Sequence, residues 1–132
     1  MRFLLHGPVN PEVPAALASH GHGVQTVLDL SEDTTAPEGA ADDPRTLLPL
    51  LEKKQWSLLT LDPAFIHQLY EQKVQFANSI VLILDDPDDL HDQGAAITRL
   101  FERYKRLTPR RLYTVTRSRV KIRQLPGAAQ AV

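Results

Sequence analysis

The sequence predicts an α/β domain in which a central parallel sheet is covered by helices on both faces. Three observations carry that expectation. Ser57 to Leu61 and Ser79 to Leu84 are short, almost continuous apolar runs, the pattern of strands buried on both sides. Segments with helical spacing alternate with such runs along the chain. Asn or Asp followed by Pro stands where those helices would begin, at Asn10-Pro11, Asp43-Pro44 and Asp62-Pro63.

At 132 residues the chain suits one domain, residues 1–126, with a frayed tail over 127–132. A domain of this size buries roughly two-thirds of its unfolded surface, and 42% hydrophobic residues can build the core. The lack of cysteine excludes a disulfide framework and a thiolate zinc site. Met1 to Leu5 runs straight into His6, too short for a signal-peptide core, and no apolar run approaches a membrane span. A soluble cytoplasmic protein with no membrane partner is therefore expected. The net charge of −1 conceals a segregation: Arg103 to Arg123 holds nine of the fifteen Lys and Arg, while residues before Arg103 hold the other six against all sixteen acids. This asymmetry fits an anionic partner for the C-terminal part, nucleic acid being the common one, or a basic face that balances acidic loops within the fold.

In chain order, Arg2 to Leu5 reads as a first strand, stopped by His6-Gly7-Pro8. Asn10 then caps a helix with Pro11 in its first position, and Val13, Ala16, Leu17 and His20 share one face. Gly21 suits a C-terminal cap, and Val24 to Leu28 forms the second strand of a βαβ unit that leaves the first strand central. Ser31 to Asp42 has four acids, no base and no periodicity, and reads as an exposed loop. Leu47, Leu48, Leu50 and Leu51 give the next helix a broad apolar face. Pro49 leaves two options for it, a kink or a start near Thr46.

The third strand, 57 to 61, delivers Asp62 at its carboxyl end before a helix over Ala64 to Gln72. Ligands of open α/β sheets bind beyond the carboxyl ends of the strands, so Asp62 is either a site residue or an N-cap. After the fourth strand, Leu90, Ile97, Leu100, Phe101, Tyr104 and Leu107 mark one face of a long helix that Pro109 ends. Asp88, Asp89 and Asp92 at its start and Arg103, Lys105 and Arg106 at its end follow the helix dipole and need no function. Leu112 to Thr116 and Arg119 to Gln124 form a C-terminal β-hairpin around Arg117-Ser118. Its second arm alternates Val120 and Ile122 with Arg119, Lys121 and Arg123, giving one apolar and one basic face. Arg117, Arg119, Lys121 and Arg123 are thus the candidate phosphate-binding residues.

Other motifs are wanting. Gly21-His22-Gly23 lacks a third glycine and precedes a strand, the wrong context for a dinucleotide fingerprint. His20, His22, His67 and His91 show no metal-site spacing, and no Gly-x-Ser-x-Gly elbow occurs. Trp56 is expected to pack a helix on the sheet.

Taken together, Phe3-Leu4-Leu5-His6-Gly7-Pro8, Gly21-His22-Gly23-Val24 leading to Asp29-Leu30, a mid-chain Asp before a Leu-rich helix, Leu59-Thr60-Leu61-Asp62-Pro63-Ala64-Phe65, the Ile-Val-Leu strand and the closing Tyr113 to Pro126 resemble small prokaryotic PIN-like proteins over nearly the whole chain. The resemblance implies a three-layer α/β/α sandwich and descent from Mg²⁺- or Mn²⁺-dependent ribonucleases, many of them toxins of toxin and antitoxin pairs. Such chemistry clusters carboxylates because hard cations prefer oxygen ligands and supply an activated water.

The sequence departs from the family pattern twice: His6 stands in place of the first-strand Asp, and Ala64 in place of the second Asp after the third strand. Asp62 matches its motif position, and Asp43, or Asp42, matches with a slip of one residue. Two acids of about four hold a hydrated Mg²⁺ weakly and lose preorganised charge. The expectation is a weakly active or inactive domain that binds RNA or a protein partner. The alternative is an active ribonuclease whose metal, Mn²⁺ or Zn²⁺ as well as Mg²⁺, is held by His6, Asp43 and Asp62; against it, His6 is a packed or capping histidine. Asp85 and Asp86 either replace a lost ligand or cap the long helix. A homo-oligomer is left open.

Overall fold

The computed structural model describes residues 2–6, 11–26, 43–84, 92–116 and 119–126, which form a mixed α/β fold of one mostly parallel sheet and four helices. The strands are β1 (Arg2–His6), β2 (Gly23–Thr26), β3 (Ser57–Thr60), β4 (Ile80–Ile83), β5 (Arg111–Val115) and β6 (Val120–Gln124). The helices are α1 (Glu12–Ser19), α2 (Pro44–Lys54), α3 (Pro63–Glu71) and α4 (Asp92–Arg103). Strands lie in the order β2-β1-β3-β4-β5-β6, and β6 alone is antiparallel to its neighbour. The first strand is internal, as a βαβ unit that leads outward and then returns requires.

Successive residues of a strand face opposite sides, and the sheet therefore feeds two cores. On one face Leu4, Leu58, Ile80, Leu82 and Leu112 pack with Leu47, Leu48 and Leu51 of α2 and Phe65, Ile66 and Leu69 of α3. On the other, Phe3, Leu59, Val81, Ile83, Tyr113 and Val115 pack with Val13 and Leu17 of α1 and Ala96, Ile97, Leu100 and Phe101 of α4. Continuous apolar runs in β3 and β4 follow directly, since every residue of both strands is buried. Trp56 packs on the α2/α3 core as expected, with the Lys54 ammonium 5.1 Å from its ring centroid.

The distribution of helices carries a topological surprise. From β2 onward each crossover steps the same way across the sheet, and α2 and α3 lie on one face accordingly. Yet α4, which makes the next step from β4 to β5, lies on the opposite face beside α1. Its crossover is therefore of the opposite hand to the others, an exception to the strong preference for right-handed connections. Gly94 permits the α1/α4 contact, because a Cβ there would lie 2.9 Å from the Glu12 Cβ. With α4 on the far side, α3 is the last helix over the α2/α3 face before the β6 edge among the described residues.

Several expectations are refined. Asp43-Pro44 is the true start of α2, with Pro at its first position and Pro49 inside it; Pro49 is exposed, and the helix runs on to Lys54. The final long helix ends at Arg103 rather than near Pro109. Tyr104 and Leu107 keep the helical spacing because they still pack on the α1/α4 core. The two C-terminal strands pair antiparallel and belong to the main sheet: β5 is a fifth parallel strand, with Leu112 opposite Ile80, and β6 extends the same sheet. Pro11 occupies the cap position of α1 without a side-chain bond, and Gly21, at φ +82, follows its end. The expectations for Asn10, the acidic segment 31–42, Asp85, Asp86, Asp88, Asp89, Leu90, His91, Arg117, Ser118 and the tail 127–132 fall outside the described residues. No described helix is long and apolar enough to cross a membrane.

Candidate functional site

The strand order reverses between β1 and β3, and in open α/β sheets the crevice at such a switch point, beyond the carboxyl ends of the strands, is where ligands bind. His6 and Thr60 are register partners there. They face the α2/α3 side, the same as Leu4 and Leu58 two residues earlier. The helices that follow β2 and β3 run back against the strands, which brings their N-terminal residues, Asp43 and Asp62, to this same end.

Each of these residues is occupied locally. His6 is only 7% exposed; its Nδ1 lies 2.8 Å from the Thr60 hydroxyl, and its ring sits against Phe65 at 4.7 Å between centroids. The same Thr60 oxygen accepts the backbone N–H of Asp62 at 3.1 Å, so one buried hydroxyl ties β1 to the turn that enters α3. Asp62 accepts the Ala64 N–H at 3.0 Å, closing the first turn of α3. Asp43 accepts the Arg45 N–H at 3.1 Å on Oδ1, and the Thr46 hydroxyl donates to its Oδ2 at 3.3 Å. These are N-cap bonds of the ordinary kind. Ala64, where the resemblance calls for an acid, is exposed in the first turn of α3.

Among the described residues no three His, Asp or Glu side chains are grouped so as to hold a metal ion. His6, Asp43 and Asp62 share one end of the sheet without forming such a group. Thr60 is the residue that sequence reasoning passed over. Its signal was available only through the β1–β3 register, which pairs it with His6.

The second region is the β6 edge. Backbone pairing of Arg119 with Thr116 at 2.9 Å and of Leu125 with Arg110 at 3.0 Å fixes the parity of the antiparallel pair. Lys121 lies opposite Thr114 and Arg123 opposite Leu112, which places both on the α2/α3 face; Val120 and Ile122 take the other. The predicted alternation of basic and apolar faces is therefore present. Arg119, Lys121 and Arg123 are all exposed, and Ile122 is 39% exposed.

Between α3 and β6 runs an open groove of about 470 Å³ lined by Pro63, Ile66, His67, Tyr70, Glu71 and Arg123. The α3 residues form one stripe at helical spacing. Tyr70 donates its hydroxyl to the Gln124 carbonyl at 2.8 Å, and the Arg123 guanidinium lies over its ring, 3.8 Å from the centroid. Burial raises the Tyr70 pKa above its ordinary 10.0, and the Arg123 charge opposes that rise. His67 and Glu71 pair across one helical turn at 3.5 Å. Tyr70 gave no sign of this role in the sequence, because its partners are more than fifty residues away.

The other described histidines, His20 and His22, pack elsewhere, against Phe101. His22 stacks on Phe101 at 4.2 Å, its buried Nδ1 has no hydrogen-bond partner, and burial lowers its pKa below 6.5. No family model matches this chain, and no curated protein or solved structure matches it.

Proposed function

We propose that the chain is a PIN-like domain of ribonuclease descent that does not cleave, and that it binds RNA through its basic C-terminal strand. The observation that carries this reading is the use made of the three residues at the β1/β3 switch point. The acid position at the end of β1 is a buried histidine bonded to Thr60, and Asp62 and Asp43, which match the family pattern directly and with a slip of one residue, each cap a helix. A neutral imidazole cannot replace the carboxylate that holds Mg²⁺, and a protonated one repels the ion. The row of Arg119, Lys121 and Arg123 supplies the positive surface that phosphates require.

Isothermal titration with Mn²⁺ beside an RNA cleavage assay tests the proposal. The wild type should show no metal-dependent cleavage, and the double variant His6→Asp with Ala64→Asp should bind Mn²⁺ measurably better. Cleavage by the wild type that is lost in Asp62→Asn would overturn it, because Asn preserves the cap and removes only the charge.

A further inference from the structure

We propose that the groove between α3 and β6 is a nucleobase-stacking subsite for single-stranded RNA, in which Arg123, held flat by Tyr70, forms the platform. The inference rests on the RNA reading above and adds to it a place for a base. Tyr70 is anchored at both ends, by α3 and by its hydroxyl on the Gln124 carbonyl, and its ring takes one face of the guanidinium at 3.8 Å. Arg123 is exposed and lines the groove, so its other face is left for a second planar group. A guanidinium already stacked and oriented gives up little further freedom when a base is added. Pro63, Ile66 and the His67 ring supply the apolar and aromatic wall that a base, and not a phosphate, would meet.

Charge sets the path of the strand. Lys121 lies on the same face as Arg123, and Arg119 precedes it by two residues, a spacing of roughly 6.8 Å along a strand. Phosphates on either side of the stacked base would follow this basic row. Glu71, in the groove lining, opposes an acidic side chain there but accepts a hydrogen bond from an exocyclic amine, as carboxylates do from cytosine N4. The subsite is therefore expected to prefer cytosine over uracil. The groove itself exists because α4 crosses on the opposite face and leaves this flank of α3 open.

Fluorescence anisotropy with short, equal-length oligo(C), oligo(U) and an abasic ribose-phosphate chain separates base from phosphate. The wild type should bind oligo(C) about tenfold more tightly than the abasic chain, the magnitude of one stacked base. Arg123→Lys keeps the charge and should abolish that preference while leaving the salt dependence in place. Glu71→Ala should erase the advantage of oligo(C) over oligo(U). Equal binding of oligo(C) and the abasic chain by the wild type, or an undiminished preference in Arg123→Lys, would overturn the subsite and leave RNA binding standing. No affinity for any oligomer at low salt would overturn both, and would turn attention to an acidic protein segment as the partner of β6.

Discussion

At the carboxyl ends of β1 and β3 the polar groups bond within the fold: one buried Thr60 hydroxyl serves both the buried His6 and the Asp62 backbone, and each aspartate caps a helix. Along β6 the polar groups stand outward, and the contact that holds Arg123, its stack on Tyr70, leaves its charge available. Both regions lie on the α2/α3 face. The contrast is between side chains whose bonds hold strands and helix starts together and side chains whose charge faces solvent. Stability should therefore depend on the first region and ligand affinity on the second, and the two can be separated by substitution.

The largest expected effect is at Thr60. Replacing it with Val, of similar shape, removes the shared hydroxyl from a fully buried position and leaves the His6 nitrogen and the Asp62 N–H to find other partners. A loss of about 1–3 kcal/mol is expected in denaturant unfolding; an unchanged midpoint would mean that the link between β1 and α3 carries nothing. Next come the caps. Asp43→Ala and Asp62→Ala should each lose about 0.5–2 kcal/mol, with Asn at either position restoring most of it. A gain in stability on Asp→Asn at either position would indicate charge held under repulsion, as in an acid cluster, and would break the contrast.

On the other side, Arg119→Ala and Lys121→Ala should each shift stability by less than about 0.5 kcal/mol, as exposed substitutions do. The same changes should reduce the salt slope of RNA affinity by roughly 0.7 per phosphate contact removed. Melting that falls sharply in these variants would make the basic row a structural feature. The smallest effect is a titration. Because the Tyr70 pKa is raised in the folded protein, its contribution to stability is fully present below pH 10.0 and fades as pH rises through the folded value. Arg123→Ala removes the charge that opposes the rise, so tyrosinate absorbance for this residue should then appear at still higher pH.

How much of this was legible beforehand depends on how local each feature is. Asp62-Pro63 and Asp43-Pro44 announced helix starts because capping involves residues two or three apart, and both caps form where the sequence placed them. The runs at Ser57 and Ile80 announced doubly covered strands because burial on two faces leaves no polar position. The alternation in Val120 to Gln124 carried the two-faced strand in the same way.

The final helix stops at Arg103 although its apolar spacing runs on: Tyr104 and Leu107 report burial, and burial continues after the helix stops. Nothing local shows that the first arm of the C-terminal hairpin also joins β4, since that partner lies some thirty residues back in the chain.

The sequence by itself determined the alternation of elements, their caps, the two apolar faces and the crowding of base into the last thirty residues, all of which depend on neighbours within a few positions. The tertiary structure alone decided that His6 meets Thr60, that Tyr70 meets Gln124 and Arg123, and that α4 crosses to the face of α1. Those outcomes depend on register and on the hand of a crossover, and both are set by the packing of whole elements rather than by the chemistry of any one segment.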